Sequence, residues 1–92
     1  MDDPLILKIS ADFAAAREAQ KRILDEAIRL GYRAQHQFAI KLGFEEAIIK
    51  AIKKDKFNSK TEILIEAKVV EKKFRITFEA NGEQTLIEFD LP

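Results

Sequence analysis

Residues 61–92 read TEILIEAKVVEKKFRITFEANGEQTLIEFDLP and hold three segments in which apolar and polar residues alternate. Alternation is typical of strands with one buried face, because successive side chains point to opposite sides of a sheet. Asn81 and Gly82 indicate a hairpin between the last two segments, since both central residues of a type I′ turn need positive φ. Residues 71–73, EKK, form the earlier turn. The expected inward side chains are Ile63, Ile65, Ala67, Val69, Phe74, Ile76, Phe78, Ile87, Phe89 and Leu91.

One strand and one amphipathic helix are predicted at the start of the chain. Residues 4–10, PLILKIS, alternate after Pro4 and indicate a short strand. Residues 11–31 have helical spacing, with Ser10 as the N-cap and Gly31 just beyond the C-terminal end. The expected core side of this helix holds Phe13, Ala16, Ala19, Ile23, Leu24, Ala27 and Leu30.

A second helix is expected to begin near Arg33 or Ala34, with a polar loop at residues 56–60 after it. Apolar residues cover most of its circumference, which predicts that it is the more buried helix. One side of the apolar arc holds Phe38, Leu42, Ile49 and Ile52, and the other side holds Ile40, Phe44, Ile48 and Ala51. The remaining polar stripe consists of Gly43, Glu46, Lys50, Lys53 and Lys54.

The predicted element order is β-α-α-β-β-β within a single domain, residues 1–92. Two helices packed on one face of a mainly antiparallel four-stranded sheet would bury both sets of apolar side chains. The expected fold class is therefore α+β, a two-layer sandwich.

Composition argues against several classes of function. Sixteen basic residues balance sixteen acidic ones, and without a summed positive field neither a nucleic-acid binder nor a membrane-surface binder is expected. There is no Cys, and His36 has no second histidine beside it, so no metal site is expected. The first ten residues lack a basic leader and a long apolar run, which indicates a protein of the cytoplasm or of a recombinant host.

Residues 38–83, FAIKLGFEEAIIKAIKKDKFNSKTEILIEAKVVEKKFRITFEANGE, resemble the core of the GHKL (histidine-kinase-like) ATPase family. The nearest group is the anti-sigma-factor serine kinases, and the similarity of element order and spacing covers roughly residues 5–84. The family's second helix carries Glu, Asn and His at four-residue steps, where the Asn oxygen holds magnesium. Here Glu46 matches the Glu, whereas Lys50 replaces the Asn and Lys54 replaces the His.

The family's second motif, Asp-x-Gly-x-Gly, follows the strand that here ends near Ala80. Ala80 replaces the Asp that accepts the adenine amine, Gly82 matches the first glycine, and Gln84 replaces the second. The family then needs a flexible ATP lid, whereas this sequence turns at Asn81–Gly82 and adds one strand. An ammonium at Lys50 would repel Mg²⁺, and a base amine facing Ala80 would lack a partner at a cost of about 1–3 kcal/mol.

These departures lead us to expect no catalytic activity and no cofactor. The chain is interpreted as an artificial or degenerate GHKL-like scaffold that folds, self-associates through a strand edge, or binds a protein partner. The alternative is a truncated ATP-binding kinase domain of the anti-sigma type. At Glu46 and Lys50 the choice is between a remodelled phosphate site and an ordinary i,i+4 ion pair on a solvated face. The lysines at 50, 53, 54, 56 and 60 similarly suit either an anion or a helix C-terminus.

Overall fold

A computed structural model of the protein describes residues 3–54 and 61–92. The elements are β1 (Leu5–Ser10), α1 (Phe13–Arg29), α2 (Ala34–Lys54), β2 (Glu62–Val70), β3 (Lys73–Ala80) and β4 (Glu83–Asp90). The predicted order and the α+β class are confirmed. The polar loop predicted at residues 56–60 lies outside the described residues.

The four strands form one sheet in the order β1-β2-β3-β4, and every neighbouring pair is antiparallel. β1 pairs with β2 although both helices lie between them in the chain, with Ile9 opposite Ile63. Both helices cover the same face of the sheet. The predicted inward residues of β2 and β3 are buried there, except Val69, which is half-buried. The fully buried large side chains are Phe44, Phe74, Phe78, Ile23, Ile40, Ile52, Ile63, Ile65 and Ile76.

The N-cap of α1 is Asp12, so the prediction of Ser10 was wrong. Asp12 Oδ1 accepts a hydrogen bond from the backbone N–H of Ala15 at 2.8 Å, and Ser10 Oγ donates to Asp12 Oδ2 at 2.5 Å. Ser10 is the last residue of β1 and is opposite Glu62 in the sheet, so its backbone cannot also start the helix. The Ser10 hydrogen bond, followed by the Ala15 bond, holds the pKa of Asp12 below its ordinary value.

The end of α1 confirms the glycine prediction. Gly31 has φ of 98°, and its N–H donates to the carbonyl oxygen of Ile28 at 3.0 Å. The N–H of Tyr32 donates to the carbonyl oxygen of Ala27 at 3.1 Å, which completes a Schellman motif. This sharp reversal sends the chain directly into α2.

The two hairpin turns both have central residues with positive φ, but their sequences differ. Asn81 (φ 52°) and Gly82 (φ 77°) confirm the predicted hairpin. Glu71 (φ 51°) and Lys72 (φ 67°) connect β2 to β3 with both residues in the left-handed region and no glycine. The turn at 71–72 is therefore held in place by the paired strands rather than by its own residue preferences.

Replacing Lys72 with glycine is expected to raise the free energy of unfolding by about 1 kcal/mol, because glycine reaches positive φ without a Cβ clash. Urea denaturation of the wild type and the variant measures the change. Lys73→Gly is the matched control, since Lys73 has entered β3 and glycine weakens a strand there. An unfolding free energy that stays constant or falls in Lys72→Gly would contradict the strained turn.

α2 is less buried than predicted. Ile40, Phe44, Ala47, Ile48 and Ile52 are buried, whereas Phe38 is 60%, Leu42 44% and Ile49 37% exposed. Phe13 of α1, also expected in the core, is 48% exposed. A helix in a two-layer fold contacts a sheet on one side only, so the side of the apolar arc that holds Phe38, Leu42 and Ile49 is left on the surface. Ile52, which was predicted on that side, is buried.

Candidate functional site

The helix positions singled out by the sequence lie on the surface. Glu46 and Lys50 are both exposed on α2. They make no ion pair with each other, so the interpretation as an i,i+4 ion pair is not supported, and the phosphate-site interpretation stays a prediction. Lys54 is the last residue of α2, and its side chain lies outside the described part of the structure.

The strand positions lie at the neighbouring hairpin. Ala80 is the last residue of β3, is opposite Glu83, and packs its methyl group against the hydrophobic core. Gly82 is exposed in the turn, where a Cβ added to it would meet nothing within 4 Å. Ala80 offers no side-chain hydrogen-bond acceptor, and Gly82 has the positive φ that the turn requires.

α2 runs over β4 with opposite chain direction, which places both sets of positions toward one end of the fold. Just before α2, the hydroxyl of Tyr32 reaches the carbonyl of Asp90 at the end of β4, and a Cβ on Gly43, halfway along α2, would lie 3.0 Å from Cζ of Phe89. The chain leaves α2 for β2, whose first residues lie at the other end of the sheet. The C-terminal half of α2 therefore points to the end of the sheet that holds the Asn81–Gly82 turn. No described hydrogen bond or ion pair connects Glu46 or Lys50 with Ala80 or Gly82.

Four cavities with described linings occupy other parts of the surface, with volumes from about 220 to about 430 Å³. None of these four is lined by Glu46, Lys50, Ala80 or Gly82. Within residues 3–54 and 61–92, no three His, Cys, Asp or Glu side chains stand close enough to share a metal ion.

The displaced pKa values mark structural contacts. On the open face of the sheet, Lys73 Nζ lies 2.7 Å from Asp90 Oδ1, and Arg75 Nε lies 2.7 Å from Glu88 Oε2. The hydrogen bond between Lys73 and Asp90 lowers the pKa of the carboxyl group and raises the pKa of the ammonium. These cross-strand pairs stabilise the register of β3 against β4. Their carboxylates, Glu88 and Asp90, also line a cavity of about 380 Å³ beside Tyr32 and His36.

Four of the eight large apolar side chains that are exposed among the described residues lie on the outer side of the helices. We call this group the helix-layer patch; it consists of Phe13, Phe38, Leu42 and Ile49. A groove of about 290 Å³ opens beside Ile49 between the two helices, and its lining includes Phe13, Arg17 and Glu45. Monomeric proteins rarely leave clustered large apolar side chains exposed without a function.

Sequence reasoning missed this patch because it assigned Phe13, Phe38, Leu42 and Ile49 to the core. A signal was present in the spacing: the apolar residues 38, 42 and 49 fall within about 40° on a helix, apart from the set at 40, 44, 47 and 48. Two apolar stripes on one helix of a two-layer fold indicate one stripe for the sheet and one for the surface.

Comparison with protein-family models and with curated proteins finds no match for this chain. Neither described helix combines the length and the low charge that crossing a bilayer would need.

Proposed function

We propose that the chain is a catalytically inactive scaffold of GHKL-ATPase-like architecture, decayed or artificial, whose role is folding or protein interaction. The observation that carries this proposal is the junction of β3 and β4. A two-residue turn follows Ala80 immediately, at the place where the resemblance calls for a nucleotide lid. A lid excludes water from phosphates, which a tight hairpin cannot do.

The side chains around that junction support the same proposal. Ala80 gives an adenine amine no acceptor, and its methyl group is already packed on the core. Lys50 projects an ammonium from the exposed side of α2, where the family places a magnesium ligand. A magnesium ion near Lys50 would be repelled, so the phosphates of ATP would lose their bridging metal.

The protein-interaction part of the proposal is supported by the helix-layer patch. Its large apolar side chains stand outside the core, and a groove lies beside them. Burying such side chains in an interface removes apolar area from water at about 25 cal/mol per Å². A surface of this kind suits an interaction protein better than a soluble enzyme without partners.

Titrating ¹⁵N-labelled protein with Mg²⁺–ATP, and separately with ADP, is expected to leave the amide resonances of Glu46, Lys50 and Gly82 without saturable shifts at millimolar ligand. The physical reason is the missing metal ligand and the missing adenine acceptor. Two-dimensional ¹⁵N–¹H NMR measures this result residue by residue.

Inorganic tripolyphosphate is the matched control, because it has the charge of ATP phosphates without the base. Shifts that it shares with ATP, and that salt removes, reflect attraction to the lysines alone. Saturable, Mg²⁺-dependent shifts seen only with nucleotides would overturn the proposal in favour of an ATP-binding domain of the anti-sigma kinase type.

A further inference from the structure

The helix-layer patch has the features of a self-complementary surface. Phe38 and Ile49 lie on the same stripe of α2, eleven residues or about 16 Å apart along the helix axis. Leu42 lies between them, and the groove beside Ile49 is open on the same side of the helix layer. One chain therefore carries both a protruding aromatic ring and a groove with apolar walls.

The groove is large enough for that ring. Its volume is about 290 Å³, and a protein cavity of about 150 Å³ already holds benzene. Phe13, Phe44, Ile48 and Ile49 supply apolar surface, while Gln20 donates to Glu45 Oε1 across the helices at 3.2 Å. The groove thus has an apolar wall for a phenyl ring and a polar rim.

We propose that the helix-layer patch binds a second copy of this chain, forming a twofold dimer with the two α2 helices antiparallel. The twofold axis crosses the outer side of α2 level with the peptide between Gly43 and Phe44. It pairs residues of the two α2 helices whose numbers add up to 87. Phe38 then lies opposite Ile49 of the second copy, and Leu42 lies opposite Glu45. Because a twofold interface uses the same patch on both copies, each Phe38 enters the groove of the other copy.

Charge at the rim of the groove fits the same arrangement. Arg17 and Glu45 both line the groove, and no ion pair joins them within the chain. In the proposed dimer the rim of each groove faces the other copy, which puts Arg17 of one copy across the interface from Glu45 of the other. Opposite charges at the rim of an apolar interface favour this register over others.

The β4 edge of the sheet is a weaker basis for self-association. β4 is one edge of the sheet, and its ionisable side chains are the carboxylates of Glu83, Glu88 and Asp90. Pairing two β4 strands would bring these acidic groups toward one another, and like charges across strands are destabilising. The four residues of the helix-layer patch are apolar, so pairing two patches does not place like charges of these residues opposite one another.

The proposed function includes protein interaction but does not name the partner, and this dimer names it as a second copy of the chain. The dimer rests on the proposed function in that respect only. Nucleotide binding is read from NMR shifts and self-association from mass, so the two ideas fail separately.

Sedimentation equilibrium from micromolar to millimolar protein is expected to show a monomer–dimer equilibrium for the wild type. Phe38→Ala and Leu42→Ala should each raise the dissociation constant about tenfold or more, because each change acts twice in a twofold dimer. Leu86→Ala is the matched control, since Leu86 is 50% exposed on the open face of the sheet. It should leave the dissociation constant unchanged within about twofold.

Charge exchange tests the register. Arg17→Glu and Glu45→Arg should each weaken the dimer, and the double variant should restore it to near the wild-type dissociation constant. A wild type that stays monomeric at millimolar concentration would overturn the proposal. So would a dimer that survives Phe38→Ala and Leu42→Ala, one that is broken by Leu86→Ala, or a double charge variant that is no tighter than the singles.

Discussion

Replacing Phe44 with alanine is expected to lower the free energy of unfolding by about 3–5 kcal/mol. Phe44 is 1% exposed, and its ring packs against Phe78 with centroids 5.3 Å apart in an edge-on arrangement. This pair connects α2 to β3, and alanine would leave a cavity between the two layers. A domain of this size has a total stability of about 5–15 kcal/mol, so the loss is a large share of it. Urea denaturation followed by circular dichroism measures the difference.

Phe38→Ala is the matched control, because it removes the same ring from the exposed side of the same helix. Measured at protein concentrations low enough to keep the chain monomeric, its unfolding free energy should change by less than about 0.5 kcal/mol. Equal losses in the two variants would mean that α2 is rotated about its axis relative to the sheet.

Tyr32→Ala is expected to cost about 3 kcal/mol, and Tyr32→Phe about 1 kcal/mol. Tyr32 is 5% exposed and follows the Schellman turn, and its hydroxyl donates to the carbonyl oxygen of Asp90 at 2.7 Å. The ring lies 6.0 Å from that of Phe74, so the side chain ties the helical turn to the sheet by packing and by a hydrogen bond. Alanine removes both contributions, whereas phenylalanine removes only the hydrogen bond. Equal effects of the two variants in urea denaturation would contradict this division.

Tyr32 also predicts an alkaline loss of stability. Burial, and then the carboxylate of Asp90, raise the pKa of Tyr32 above its ordinary value. The unfolded chain therefore ionises its tyrosine first, and this contribution is complete below the unfolded pKa of about 10 and disappears as pH rises through the folded pKa. The raised pKa of Lys73 also makes stability fall at alkaline pH, but this contribution is present both in the wild type and in Tyr32→Phe. Above the unfolded tyrosine pKa of about 10, the unfolding free energy of the wild type should therefore fall more steeply with pH than that of Tyr32→Phe.

Much of the fold was predictable because its signals are local. The alternation in β2 and β3, the Asn81–Gly82 turn and the glycine after α1 each specify a backbone conformation through residues a few positions apart. The N-cap of α1 was not predictable in this way. Ser10 and Asp12 both suit a cap, and the choice depended on Ser10 pairing with a strand more than fifty residues away.

The candidate site was less predictable than the fold. The positions 46, 50, 80 and 82 follow from motif spacing, and their side chains alone argue against magnesium and adenine binding. Spacing separates two apolar stripes on α2 but does not show which of them is exposed, because Phe38 and Phe44 have the same chemistry and lie on the same helix. Only their distance from the sheet distinguishes a core ring from an exposed one.

The sequence by itself determined the element order, the fold class, the inward faces of β2 and β3 and the hairpin at Asn81–Gly82. These features depend on periodicity and on residues that permit positive φ, which are properties of short segments. Tertiary structure decided which stripe of α2 meets the sheet, where α1 begins, and that Glu71 and Lys72 adopt a left-handed turn without glycine. These outcomes depend on contacts between distant segments, since a sheet can cover only one side of a helix and paired strands impose the geometry of the turn that joins them.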